Sequence, residues 1–234
     1  MNPKLRKRFV DSIEYLRKMD FFRDYSNLSS EEIFDRILNG EMEYMDWWEE
    51  WKKEHPVEGG AGGKSNFYPY SHGSSLLISI EKNQASWMKK SDAKIDYEMI
   101  QFDTKRVMVE DPETRGFIDE MGIAIINRLS RISRGIFQPI SVSSRWTLPP
   151  ELKWCVNEVS FDYKGRRHTI QIVLRHDFIE DMGLRELNEI IEDTGYQYYQ
   201  INERDVDYYV VVVLTKEEAE KLERERGWSF EYLY

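Results

Sequence analysis

The side chains able to do chemistry are few, and their spacing narrows what each can do. Four histidines stand apart, His55, His72, His168 and His176, and none has a second histidine four residues away. The H-x-x-x-H or H-E-x-x-H spacing that turns two imidazoles to one helix face is therefore missing, and no metal ligand set is expected. Cys155 is the sole cysteine. It could serve as a nucleophile beside a histidine, but between Trp154 and Val156 it reads as the start of a strand, where a lone thiol is buried and inert. The segment GGAGGKS (59–65) has the end of a phosphate loop. That pattern also needs glycine at 58, where Glu58 stands, and the preceding WKKEHPV is not an apolar strand. No cofactor and no single catalytic residue emerge. The enzymatic alternative is a hydrolase or transferase whose site is assembled from dispersed groups, with Asp103, Arg128, His168, His176 and Asp177 as the residues to test.

Charge is more informative. The 234 residues carry 33 lysines and arginines against 43 acids, a formal charge of −10. A non-specific nucleic-acid binder needs cations to displace counterions, so nucleic acid is not an expected partner. No window of 18 apolar residues exists, so no membrane span is expected. The basic opening MNPKLRKRFVDSIEYL is broken by Asp11 and Glu14 before any apolar run, unlike a signal peptide. With one thiol, this points to a reducing, cytoplasmic setting. The acids concentrate at 177–207, where ten of them face only Arg185 and Arg204, a net of −8. The spacing predicts a helix over 180–194 with Leu184, Leu187, Ile190 and Ile191 as its apolar stripe. Glu186, Glu189, Glu192 and Asp193 then fill about 120° of the opposite arc. Asp181 lies at its start, and Glu203, Asp205 and Asp207 fall at the following hairpin loop. A solvated face is the ordinary account of such a run. A cation site is the poorer one, since NERDVD lacks the glycine and glutamate positions of an EF-hand. The functional reading is a docking surface for a basic protein, because a field of one sign speeds encounter and carboxylates give register to arginines.

These groups must be positioned by elements that the periodicity outlines. Leu5, Phe9, Ile13 and Leu16 recur at helical spacing, and Ser29 with Glu32 forms a capping-box pattern closed by Gly40. In EMEYMDWWEEWKKEH (41–55), Met45, Trp48 and Trp51 share a face. With Trp47 and Tyr44 they read as a packing seam rather than a stacking platform. PVEGGAGGKSNFYPYSHGSS (56–75) lacks any period. The division expected is a helical segment 1–56, a Gly/Ser/Pro-rich loop or linker 57–75, and an α+β domain 76–234. LLISI, IDYEMIQF and RVMVE read as short strands. A helix is expected from Asp111-Pro112 to Gly135, with Phe117, Met121, Ile125, Leu129 and Ile132 as its stripe. Arg128 falls inside that stripe, and its stem is expected to snorkel past the core edge in preference to meeting a buried carboxylate. VSFDYKGRRHTIQIVL (159–174) reads as a hairpin on a Lys164-Gly165 turn that pairs Tyr163 with Arg166 and Val159 with Ile170. That register leaves one wet face. YYVVVVL is apolar on both faces, as an interior strand is. Thr215 with Glu218 caps a last helix ending at Gly227, and WSFEYLY adds an edge strand. The fold class is α+β, a mainly antiparallel sheet with helices packed on one side, preceded by a helical N-terminal segment.

IFQPISVSSRW (136–146), the 159–174 hairpin and LTKEEAEKLERERGWSF together resemble the small α+β immunity proteins that bacteria keep against their own toxins. The resemblance covers residues 136 onward and leaves the first half unmatched. It implies tight, stoichiometric neutralisation of a toxin, often a basic nuclease, and it brings no functional residues with it. The expected function is thus a non-enzymatic acidic binding protein that docks on a basic protein partner. Oligomeric state is not legible.

Overall fold

A computed structural model describes residues 1–42, 72–110, 121–148, 154–175, 178–202 and 209–231. The chain divides into two compact units, Met1–Thr104 and Lys105–Tyr234. The tryptophan-rich stretch 43–55 and the glycine-rich motif 59–65 lie outside the described residues, as do residues 111–120 with Phe117.

The first unit is helical: α1 Pro3–Lys18, α2 Ser30–Leu38, α3 His72–Lys82, α4 Gln84–Trp87 and α5 Asp92–Ile100. Leu5, Phe9, Ile13 and Leu16 form the fully buried stripe of α1, which packs on α2 and α5. Phe9 stacks on Phe34 at 5.2 Å between ring centroids. The Ser29–Glu32 capping box is formed in both directions. Two segments expected as strands, 76–80 and 95–102, are instead helical, and α3 begins inside the stretch expected as a loop. Leu76 and Ile80 bury one helical face while Ile78 between them is exposed. Ser91 accepts from the Lys94 amide as an N-cap of α5. Residues 76–104 therefore belong with the helices. Arg8 fastens α4 to α5, donating to the carbonyls of Met88 and Lys90 and to Asp92 Oδ1 at 3.1, 2.9 and 2.8 Å.

The second unit is α+β: β1 Val107–Glu110, α6 Met121–Ile132, β2 Ile140–Leu148, β3 Trp154–Tyr163, β4 Arg166–Arg175, β5 Phe178–Asp181, α7 Leu184–Ile190, β6 Tyr196–Ile201, β7 Tyr209–Thr215, α8 Lys216–Arg226 and β8 Phe230–Glu231. The strands form two antiparallel four-stranded sheets, ordered β1-β7-β6-β8 and β2-β3-β4-β5. The β3–β4 hairpin has the expected register from Tyr163↔Arg166 to Val159↔Ile170. Its turn residues Lys164 and Gly165 take φ of 49° and 75°, the left-handed pair that a two-residue hairpin turn requires. β7 is interior and buried on both faces. Thr215 and Glu218 complete the capping box of α8.

Between the sheets lies one core. Helix α6 touches β1 of one sheet and β2 and β3 of the other, and α7 touches β4 and β6. The inward side chains Cys155, Val159, Phe161, Ile170, Ile172 and Leu174 join Met108, Tyr198, Val211 and Val213 from the opposite sheet. The other face of β7 carries α8, which buries Ala219 and Leu222. Tyrosine hydroxyls tie the layers: Tyr198 donates to the Leu129 carbonyl at 2.8 Å, Tyr163 to Ile136 at 2.7 Å and Tyr209 to Ile179 at 2.7 Å. On the edge of β6 just before its short pairing with β8, Asn188 of α7 accepts from the Tyr198 amide at 2.7 Å and donates to its carbonyl at 3.0 Å.

Helix α6 approaches β3 at Gly122. A Cβ there would lie 2.1 Å from Asn157 Oδ1 and 2.4 Å from Val159 Cγ2. Gly122→Ala is expected to destabilise the sheet unit by about 2–3 kcal/mol in chemical denaturation, the usual cost of overpacking a filled core. Asn157→Ala in the same chain should recover part of the loss. Tyr198 supplies a pH test. Burial pushes its phenol far above the ordinary value of 10.0. Above pH 10 the unfolded chain releases a proton that the folded one keeps, so stability present below that pH falls as pH rises, by at most about 1.4 kcal/mol per unit. Tyr198→Phe should cost about 1 kcal/mol at neutral pH for the lost hydrogen bond and should make the alkaline decline in melting temperature shallower.

Candidate functional site

The acidic surface is built on the chain that leaves β5. Asp181 pairs in register with Val173 of β4, and its Oδ1 accepts from the Gly183 amide at 2.7 Å. Gly183 has a φ of 70°, and a Cβ there would meet the Gln171 carbonyl at 2.9 Å, so only glycine lets the chain pass this close to β4. That break corrects the helix expected over 180–194. Phe178–Asp181 is a strand, the α-helix is limited to Leu184–Ile190, and Glu192–Thr194 is a 3-10 turn. Leu184, Leu187 and Ile191 remain the buried stripe. At the far end Asp193 takes both ends of a short ion pair, 2.7 Å to Lys164 Nζ from each carboxylate oxygen. This bond raises the lysine above its ordinary range.

Three fixed points, Val173, Gln171 and Lys164, thus lay the segment Asp181–Asp193 along β4, a ribbon of about 25 Å at some 3.3 Å per strand residue. Glu189 and Glu192 are exposed on it and make no ion pair with a described residue. Glu186 is half-buried, with Oε2 shielded from solvent and without a hydrogen-bond partner. Asp181, Glu186, Glu189, Glu192 and Asp193 all lie on this segment, and among them Asp193 alone forms an ion pair with a described residue, Lys164. Glu203, Asp205 and Asp207 lie outside the described residues.

Of the dispersed enzymatic candidates, Asp103, Arg128 and His168 are engaged where they stand. Asp103 is buried in the helical unit and accepts from the Phe22 amide. His168 is half-buried and stacks on Phe161, 5.9 Å between ring centroids. His176 and Asp177 lie outside the described residues. Cys155 is fully buried at the start of β3. Among the described residues no group of three His, Cys, Asp or Glu side chains is placed to hold a metal ion, and no helix is long and apolar enough to cross a membrane.

Arg128 overturns the expectation of a snorkelling stem. It is only 8% exposed and is bonded to Glu110, itself 2% exposed. Its Nη2 also donates to the Val109 carbonyl at 2.6 Å. β1 is the outer strand of its sheet, and the guanidinium supplies a hydrogen bond to its backbone. Glu110 closes the RVMVE run as the one acid in an otherwise apolar strand, and that oddity is the signal that could have found it. Asn157 was also legible in principle, since alternation sets it on the inward row with Cys155, Val159 and Phe161. Its carboxamide is fully buried, and neither the nitrogen nor the oxygen has a hydrogen-bond partner.

Comparison with models of protein families, with curated proteins and with solved structures finds no match. For the buried pair, Arg128→Met is expected to cost about 3–5 kcal/mol, because it takes a buried cation away from the Glu110 carboxylate. The double variant Arg128→Met/Glu110→Leu should restore most of that loss in urea titrations of the sheet unit.

Proposed function

We propose that this protein is a non-enzymatic acidic binding protein that docks on a basic protein partner, and that it neutralises a toxin as the immunity proteins resembled by residues 136 onward do. The observation that carries the reading is the Asp181–Asp193 ribbon along β4, where Glu189 and Glu192 are exposed and form no ion pair with a described residue. A carboxylate row on a structured edge offers arginines both attraction and register. Glu186 adds to this, since an arginine reaching its shielded oxygen would satisfy an acceptor that has no partner among the described residues. Glu203, Asp205 and Asp207 extend the same charge run in sequence.

The test is affinity capture of the tagged full chain from its own cells at low salt, with identification of the bound proteins. A basic protein in one-to-one ratio is expected, and its binding should weaken steeply as salt is raised. Glu186→Lys/Glu189→Lys/Asp193→Lys should abolish capture, while His168→Ala and His176→Ala should leave it intact. Recovery of no basic protein, or equal capture by the triple variant, defeats the reading.

A further inference from the structure

We propose that the outer face of the β2-β3-β4-β5 sheet is an interface between two copies of this chain. Helices α6 and α7 pack on the inner face of that sheet, and the outward residues of β3 and β4 stand open. Among the described residues six large apolar side chains are exposed, and three of them belong to this face. Trp154 (44% exposed) and Phe178 (50%) flank Arg175 in one cross-strand row at one end. Ile140 (66%), in register with Asp162, stands at the other. Arg175 lies over the Trp154 ring at 5.2 Å, and Val156 and Val173 form the next row inward. Exposed aromatic and arginine side chains in one row are the residue types enriched where proteins meet.

Charge decides which occupant fits. Three ion pairs lie on the face, Arg145–Glu158 at 2.7 Å, Arg167–Asp162 at 3.2 Å and Arg175–Glu180 at 3.6 Å, and Asp181 at the β5 edge, in register with Val173, adds one acid beyond them. On a chain with a formal charge of −10, a face of nearly balanced sign is where two copies can approach with least mutual repulsion, and a strongly basic partner gains least there. A two-fold axis lying in the interface and crossing the strands brings the Ile140 end of one copy over the Trp154–Phe178 end of the other, so the apolar ends meet and the charged middle faces itself. The sheet has a flat footprint of roughly 500–600 Å² from its strand spacing and length, near the ~800 Å² per partner of a standard interface once side-chain relief is added. The face shares only Asp181 with the acidic ribbon, and the substitutions that test it, at Trp154 and Phe178, lie outside that ribbon.

Sedimentation equilibrium of the full chain at physiological salt tests it. A reversible monomer–dimer equilibrium is expected. Trp154→Lys and Phe178→Lys should each raise the dimer dissociation constant about tenfold or more, and Lys216→Glu on α8 should leave it unchanged. Circular dichroism checks that the variants are folded. If either lysine variant is not, Trp154→Ser and Phe178→Ser carry the same expectation. A chain that stays monomeric at every concentration, or a dimer indifferent to both substitutions, overturns the proposal.

Discussion

A helix pressed between two sheets has no water to satisfy its polar groups, and the sheet unit is arranged around meeting that demand for α6. The Leu129 carbonyl, one of those that the last helical turn leaves unpaired, receives the Tyr198 hydroxyl from one sheet. The chain just beyond is held from the other sheet by Tyr163 on Ile136. Ser130 and Ser133 both donate to the Phe137 carbonyl. Within the helix, Arg128 is charged and buried, so Glu110 is buried to meet it. The same guanidinium serves the backbone of β1. At Gly122 the contact is so close that no side chain separates helix from strand. Apart from the two serines, each of these contacts joins residues far apart in sequence, and together they fix where both sheets stand relative to one helix.

That arrangement determines which surfaces remain for function. The inward rows of both sheets are spent on α6 and α7, and the second face of β7 on α8. What is left on the hairpin sheet is an outer face with apolar ends and internally paired charge, together with the acidic segment running beside β4. The two differ in kind. One is broad, with most of its charge paired, while the other is narrow and negative.

Much of this was legible where local rules and burial agree. The stripe of α1, the capping boxes at Ser29 and Thr215, and the full register of the β3–β4 hairpin follow from spacing alone. The errors have physical sources. In IDYEMIQF, apolar residues at 95, 97 and 99 alternate as in a strand, yet Ser91 caps a helix that buries Ile95, Tyr97, Met99 and Ile100 alike. A helix buried on several sides shows no clean period. The acid run was read as one helix because Leu184, Leu187 and Ile191 do share a face. Gly183, which precedes the helix on the strand side, is required by the close Gln171 carbonyl, a contact no local window contains. The fate of Arg128 was undecidable locally, because its partner Glu110 sits on another element. Of the site, the identities of the acids could be read, but their alignment along β4 came only from the tertiary contacts.

The carboxamide of Asn188 has a consequence for how wide its sheet can grow. By taking both the amide and the carbonyl of Tyr198, one side chain imitates a strand one residue long on the edge where Gln200 and Ile201 pair with β8. The exposed rim of the sheet offers an incoming strand no unbroken template there, so resistance to edge-to-edge growth resides in a single amide.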